Sequence, residues 1–146
     1  MIHKLRRQID KIDGEILKLL NERARVTLSI GRAKQKSKAS VYAPERESQI
    51  YKRIAGLNKG PLSNEQVSAI YREIMSGSLA LEKPLKIAYL GPAATFTHLA
   101  AIRKFGNSVS YYPCISITEI FTEVERSRAD YGVVPVENSI EGAVNH

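Results

Sequence analysis

Cysteine is nearly absent: the 146 residues hold one, Cys114. No internal disulfide can form, and ligation of a metal by thiolates is not expected. His3, His98 and His146 have no Cys or His spacing that suggests a metal, so surface roles are expected for all three and no metal site is assigned. Long uncharged apolar runs are missing as well, and Met1-Ile2-His3-Lys4 leads straight into charged sequence without a signal-peptide core. No membrane span is expected, and a cytoplasmic protein is the default reading. Acid is the scarcer charge, 15 Asp and Glu against 22 Lys and Arg, for a net charge of +7. That balance favours anionic partners: nucleic acid, an anionic membrane surface or a small polyanionic substrate. Internal repeats and low-complexity segments are lacking too.

Proline is missing until Pro44, and that absence permits one long helix over about residues 2–36. Its apolar residues Leu5, Ile9, Ile12, Ile16, Leu19, Val26 and Ile30 step by four and three, a heptad seam. One beat fails. The position between Leu19 and Val26 is Arg23, and the same face returns at Lys34. A guanidinium in an apolar seam must be solvated, paired or bound to an anion. Taken alone, Arg23 is as readily a snorkelling side chain with its head in water as a ligand. A helix this long needs a partner, and a second copy of the chain is the simplest one.

Gln35 to Ala43 reads as a loop. Pro44-Glu45-Arg46-Glu47 opens a second helix, with Ile50, Ile54 and Leu57 as its apolar face and Asn58 to Pro61 as its stop. A third helix starts at Ser63, with Gln66 completing a capping box, and runs to about Lys83. Val67, Ile70, Tyr71, Ile74, Ser78, Leu81 and Glu82 lie on one side of it, so that stripe turns polar near its end. After Pro84 the texture changes. Residues 86–90, 109–112 and 131–136 read as strands, and 95–105 and 116–126 as helices. This βαβαβ order predicts a parallel sheet with right-handed crossovers and a boundary near Leu81 to Leu85, dividing the chain into residues 1–84 and 85–146.

The motifs in these segments carry a resemblance. Leu5 to Asp13, Leu19 to Arg23, Gly31 to Lys34, Pro44 to Glu47 and Ser78 to Glu82 together resemble the all-helical class of chorismate mutase. Tyr89 to Thr97 and Gly132 to Ser139 resemble the start of prephenate dehydratase, and the order of the two is similar to the bifunctional P-protein family of phenylalanine biosynthesis. The resemblance implies an all-α, three-helix mutase domain in an intertwined homodimer, followed by a partial α/β segment. It implies conversion of the dianion chorismate to prephenate, a unimolecular rearrangement needing neither cofactor nor metal. By the same resemblance Arg23 and Arg6 bind substrate carboxylates, with Arg6 reaching over from the other subunit. Lys34 and Glu82 flank the ether oxygen, Glu47 holds the ring hydroxyl, and Arg46 and Ser78 support the carboxylates. Thr95, Asn138 and Ser139 belong to a dehydratase site of which this chain holds half. The dehydratase's Thr-Arg-Phe motif and regulatory domain have no counterpart here, and no dehydratase activity is expected.

Departures from the pattern sharpen the expectation. Glu82 stands where some members have glutamine, and a glutamate must be protonated to donate a hydrogen bond. A raised pKa and activity that declines with rising pH are therefore expected. Ala43 precedes Pro44 where some relatives have aspartate, and Ala94 replaces a usual glycine. The alternative of another class is a dimeric basic helical protein that binds nucleic acid. Against it, Asp10, Asp13, Glu15 and Glu22 alternate with the basic residues and leave no single-sign stripe.

Overall fold

The computed structural model describes residues 1–40, 42–93 and 95–136. Ala94, Glu137, Asn138, Ser139 and His146 lie outside the described residues. The first helix, α1 (Ile2–Ser37), is 36 residues long, roughly 54 Å at 1.5 Å per residue. It ends where Lys38 turns left-handed (φ 57°) and its N–H caps the carbonyls of Lys34 and Gln35. Pro44 opens α2 (Pro44–Leu57), with Glu45 and Glu47 in the first turn facing the positive end of the helix dipole. The capping box forms at the start of α3 (Asn64–Glu82): Gln66 N–H donates to Ser63 Oγ at 3.1 Å, and Ser63 N–H donates to Gln66 Oε1 at 2.9 Å. Among the described residues no helix is long and apolar enough to cross a membrane.

The second half alternates β1 (Lys86–Leu90), α4 (Phe96–Phe105), β2 (Ser110–Cys114), α5 (Ile117–Glu125) and β3 (Tyr131–Val133). The sheet is parallel in the order β2-β1-β3, with Ile87 opposite both Tyr111 and Tyr131. The central strand is covered on both faces, which is why it reads as a short apolar run. Ile87 and Tyr89 pack with Leu79, Ala101 and Phe105, whereas Ala88 packs with Cys114 and Ile120. β3 stops at Val133, short of the expected Val136. Pro135 follows, and without an N–H it cannot extend the ladder.

The two halves meet along α3. Leu79 belongs to the core formed by Ile87, Tyr89 and Phe105. Glu73 receives Asn107 N–H and Nδ2–H, each at 3.0 Å, and the buried Ser76 Oγ receives Ser108 N–H at 3.0 Å. Gly106 makes this approach possible. Its φ of +73° suits glycine, and a Cβ there would lie 2.4 Å from Ser76 Cβ.

Several side chains differ from expectation. The face of α3 buried in the core is Met75, Ser76 and Leu79, while Ile70 and Leu81 are about half exposed. The helix is apolar on two sides: the expected stripe is partly covered, at Val67, Tyr71, Ile74, Ser78 and Glu82, and the sheet half buries a second side. Leu57 is exposed, because as the last residue of α2 it has no following turn to cover it. His98 is half-buried, stacked on Tyr89 at 4.6 Å between ring centroids, and so has more than a surface role. Cys114 is fully buried by Ile120 and its neighbours on the α5 face of the sheet.

Candidate functional site

Residues 2–22 of α1 are exposed throughout, the seam positions Leu5, Ile9, Ile12, Ile16 and Leu19 among them. Coverage begins at Arg23, where α3 comes alongside. From there α1, α2 and α3 enclose a cavity of about 260 Å³, close to the ~300 Å³ at which ordinary small-ligand pockets begin. α1 contributes Arg23 and Lys34, with Val26 and Ile30 between them. Arg46 and Glu47 come from α2, and Ser78 and Glu82 from α3. The interrupted beat of the seam therefore points its cation into a cavity.

Each polar group there is held by a specific contact. Arg23 Nη1 donates to Ser78 Oγ at 2.9 Å, and the Ser78 hydroxyl donates back to the Ile74 carbonyl at 3.0 Å. Ser78 thus uses its proton on its own helix and its lone pair on the guanidinium, which retains further donors for an anion. Lys34 Nζ lies 3.8 Å from Glu82 Oε2. The Glu82 side chain is only 7% exposed, and its Oε2 is buried without a hydrogen-bond partner. Burial pushes the Glu82 carboxyl above its ordinary value, and the Lys34 ammonium opposes the shift without cancelling it. Gly31 makes room for this carboxylate: a Cβ there would stand 3.0 Å from Glu82 Cγ. Glu47 is also raised by burial, with Lys104 opposing. Its N–H donates to the Ala43 carbonyl at 3.1 Å, so the departure at Ala43 leaves that backbone acceptor in place.

The arrangement can hold a small dianion by fixed cations, while a protonated Glu82 offers a donor and Glu47 an acceptor. Among the described residues it contains no nucleophile poised on a base. Arg6 is not brought to this cavity within one chain. It is exposed on α1, about 25 Å of helix before Arg23. Thr95 lies elsewhere, past the carboxyl end of β1, where it caps α4. Its Oγ1 donates to the Leu90 carbonyl at 3.2 Å and accepts His98 N–H at 3.3 Å. Its expected companions Asn138 and Ser139 are outside the described residues. Arg53, which lines the cavity, was missed by sequence reasoning. Arg46, Ile50 and Arg53 step by four and three, so a face search that admitted arginine would have found it.

A second concavity runs along the uncovered side of α1 and α3. It is open, about 770 Å³, and lined by Leu20, Ala24, Ile70, Ile74 and Leu81. Its apolar walls do not suit a dianion.

Comparisons with known proteins follow the same division. Residues 5–83 match the family model described as chorismate mutase type II, and residues 87–146 match the one described as prephenate dehydratase. A bifunctional chorismate mutase/prephenate dehydratase of Aquifex aeolicus (strain VF5) is 54% identical over 149 residues, taking in 99% of this chain and 41% of its own length. The protein of that description from Escherichia coli (strain K12) is 30% identical, over 97% of this chain and 41% of its own. This chain thus spans about two-fifths of the length of these curated relatives. Among solved structures, chorismate mutase (form II) of Thermus thermophilus is similar with a TM-score of 0.56 and 35% identity, covering 56% of this chain and 93% of that one.

Proposed function

The chain belongs to the type II chorismate mutase family, and from that premise we propose that it converts chorismate to prephenate in the cavity among α1, α2 and α3. The observation that carries the reading is the convergence of Arg23, Lys34 and Glu82 on one small cavity, where Glu82 Oε2 is buried 3.8 Å from the Lys34 ammonium without a hydrogen bond. The reaction is unimolecular, so the protein's task is to hold the folded conformer and to stabilise charge on the breaking ether bond. Arg23, oriented by Ser78, binds one substrate carboxylate, and Arg46 supports the pair. Lys34 and protonated Glu82 donate to the ether oxygen, and Glu47 accepts from the ring hydroxyl. No group of the protein forms a covalent bond to substrate, and no cofactor is called for.

A homodimer is part of the proposal. It is supported by the exposed seam of α1 and by the apolar groove beside it, both of which a second copy would cover. Arg6 of the partner subunit then completes the carboxylate clamp. Residues 1–84 form the mutase unit and 85–146 the opening part of a prephenate dehydratase unit, with Thr95 at the strand ends where open parallel sheets bind ligands. The setting is the cytoplasm and the synthesis of phenylalanine.

The test is a chorismate mutase assay of wild type and Arg23→Ala, with oligomeric mass measured alongside. We expect turnover by a dimer, and a loss of about 100- to 1,000-fold in kcat/KM for the variant, the scale of one preorganised charge-stabilising donor. Wild-type protein that leaves chorismate unchanged overturns the activity, and an active monomer overturns the role of Arg6.

A further inference from the structure

The wall of the mutase cavity does not end with the three helices. Tyr42 lies in the loop before α2, next to Ala43 at the edge of the cavity. Its ring is held by the sheet half of the chain: Phe105 at 5.1 Å and Tyr131 at 5.2 Å between centroids. Ser40, two residues earlier, shares a 3.0 Å hydrogen bond with the Tyr131 hydroxyl and donates at 3.1 Å to the Tyr42 carbonyl. Lys104 of α4 places its ammonium 5.9 Å from the centre of the Tyr42 ring, at the outer limit of a cation–π contact. The Tyr42 hydroxyl is buried without a hydrogen bond of good geometry. Leu79 ties the same regions together from α3, with one side in the cavity and the other in the core of the sheet.

We propose that Tyr42 and Lys104 are positioning residues for the mutase site: the sheet half of the chain clamps the loop that starts α2 and so fixes the place and charge of Glu47. The proposal rests on the mutase reading, in which Glu47 accepts from the substrate hydroxyl. The ionised carboxylate is the stronger, acceptor-only form, and burial works against it. Charged groups around the same cavity are Arg23 and Lys34 from α1, Arg46 and Arg53 from α2 itself, and Glu82 from α3. Tyr42 and Tyr51 also feel the Glu47 charge. The ammonium that acts against the burial of Glu47 is Lys104, which comes from the other half of the chain. Burial outweighs it in Glu47, whose carboxyl stays raised, and the cation sits on α4 beside the Tyr42 ring that leads into α2.

The experiment compares wild type, Lys104→Met and Lys104→Arg in the 146-residue chain, alone and combined with Glu47→Gln. Lys104→Met should raise KM for chorismate about 3- to 10-fold, on the scale of one charge-assisted contact. It should leave kcat within about twofold and Tm unchanged, and Lys104→Arg should restore KM. In the Glu47→Gln background the methionine should add nothing. A carbon-13 NMR titration of the Glu47 carboxyl should move upward in Lys104→Met, a readout that needs no turnover. A KM effect of equal size in the Glu47→Gln background, an unchanged KM, or an unmoved titration overturns the proposal. Wild-type protein without turnover instead overturns the reading on which it rests, while the titration still decides whether Lys104 acts on Glu47.

Discussion

Two apolar stretches of this chain meet opposite fates. On β1, Ile87 is 0% exposed, covered on one face by α3 and α4 and on the other by α5. On the N-terminal part of α1, Ile12 is 53% exposed and no other part of the described chain covers it. Spacing makes both look like core. The strand is completed by its own chain because crossovers return helices to both of its faces. The helix is too long for that, and its seam positions Leu5, Ile9, Ile12, Ile16 and Leu19 all stay exposed. An exposed seam of this regularity calls for a second molecule, and the division falls at Arg23, where the candidate site begins.

The largest effect should come from charging the seam. The double substitution Ile12→Asp with Ile16→Asp is expected to halve the mass measured by light scattering. It should also lower chorismate turnover at least 100-fold, because Arg6 of the partner subunit is lost together with the interface. Retained dimer mass would dissolve the contrast. At the border between exposed and covered helix, Glu82→Gln should remove the decline in activity with rising pH. The sign follows from burial: the Glu82 carboxyl is raised, so its proton is kept to higher pH and the donor is lost as pH climbs through the raised value. Native protein binds more protons than unfolded chain across that window, so the stability owed to Glu82 falls there as well. An amide does not titrate, and above the window the variant should outpace wild type. A wild-type profile flat in kcat/KM would end the donor role. The smallest effect belongs to the covered side. Gly132→Ala would set a Cβ 2.5 Å from Ile120 Cγ2, costing about 1–3 kcal/mol by overpacking. Urea denaturation should show that loss with the dimer mass unchanged, since the strand depends only on its own chain.

Local signals made most of the fold legible. Pro44, the Ser63–Gln66 box and the turn residues at Gly60-Pro61 marked where helices start and stop, and their physics lies within a few residues of chain. At the cavity, Arg23 broke the seam, Lys34 followed on its face, and Ser78 and Glu82 turned a stripe polar, whereas Arg46 and Glu47 were read as site residues from the resemblance of Pro44 to Glu47 to the mutase family. What escaped depends on distant chain. Arg53 was hidden because the face of α2 was drawn from apolar residues alone. The buried side of α3 is chosen by a sheet that follows it in sequence, and spacing cannot rank two apolar sides of one helix. Tyr42 and Lys104 are 62 positions apart, and only the packing of α4 against the loop before α2 makes them neighbours.

Gly31 shows how one missing methyl group sets two demands against each other. Alanine there would favour the helix by up to about 1 kcal/mol. Its methyl would also press on Glu82 Cγ from 3.0 Å, so the side chain that faces Lys34 would have to give way. A selection for heat resistance alone would be drawn to that substitution, and a selection for turnover would reject it. Gly14, the other glycine of this helix, has open space around it, so Gly31 alone trades helix strength for the approach of a neighbour.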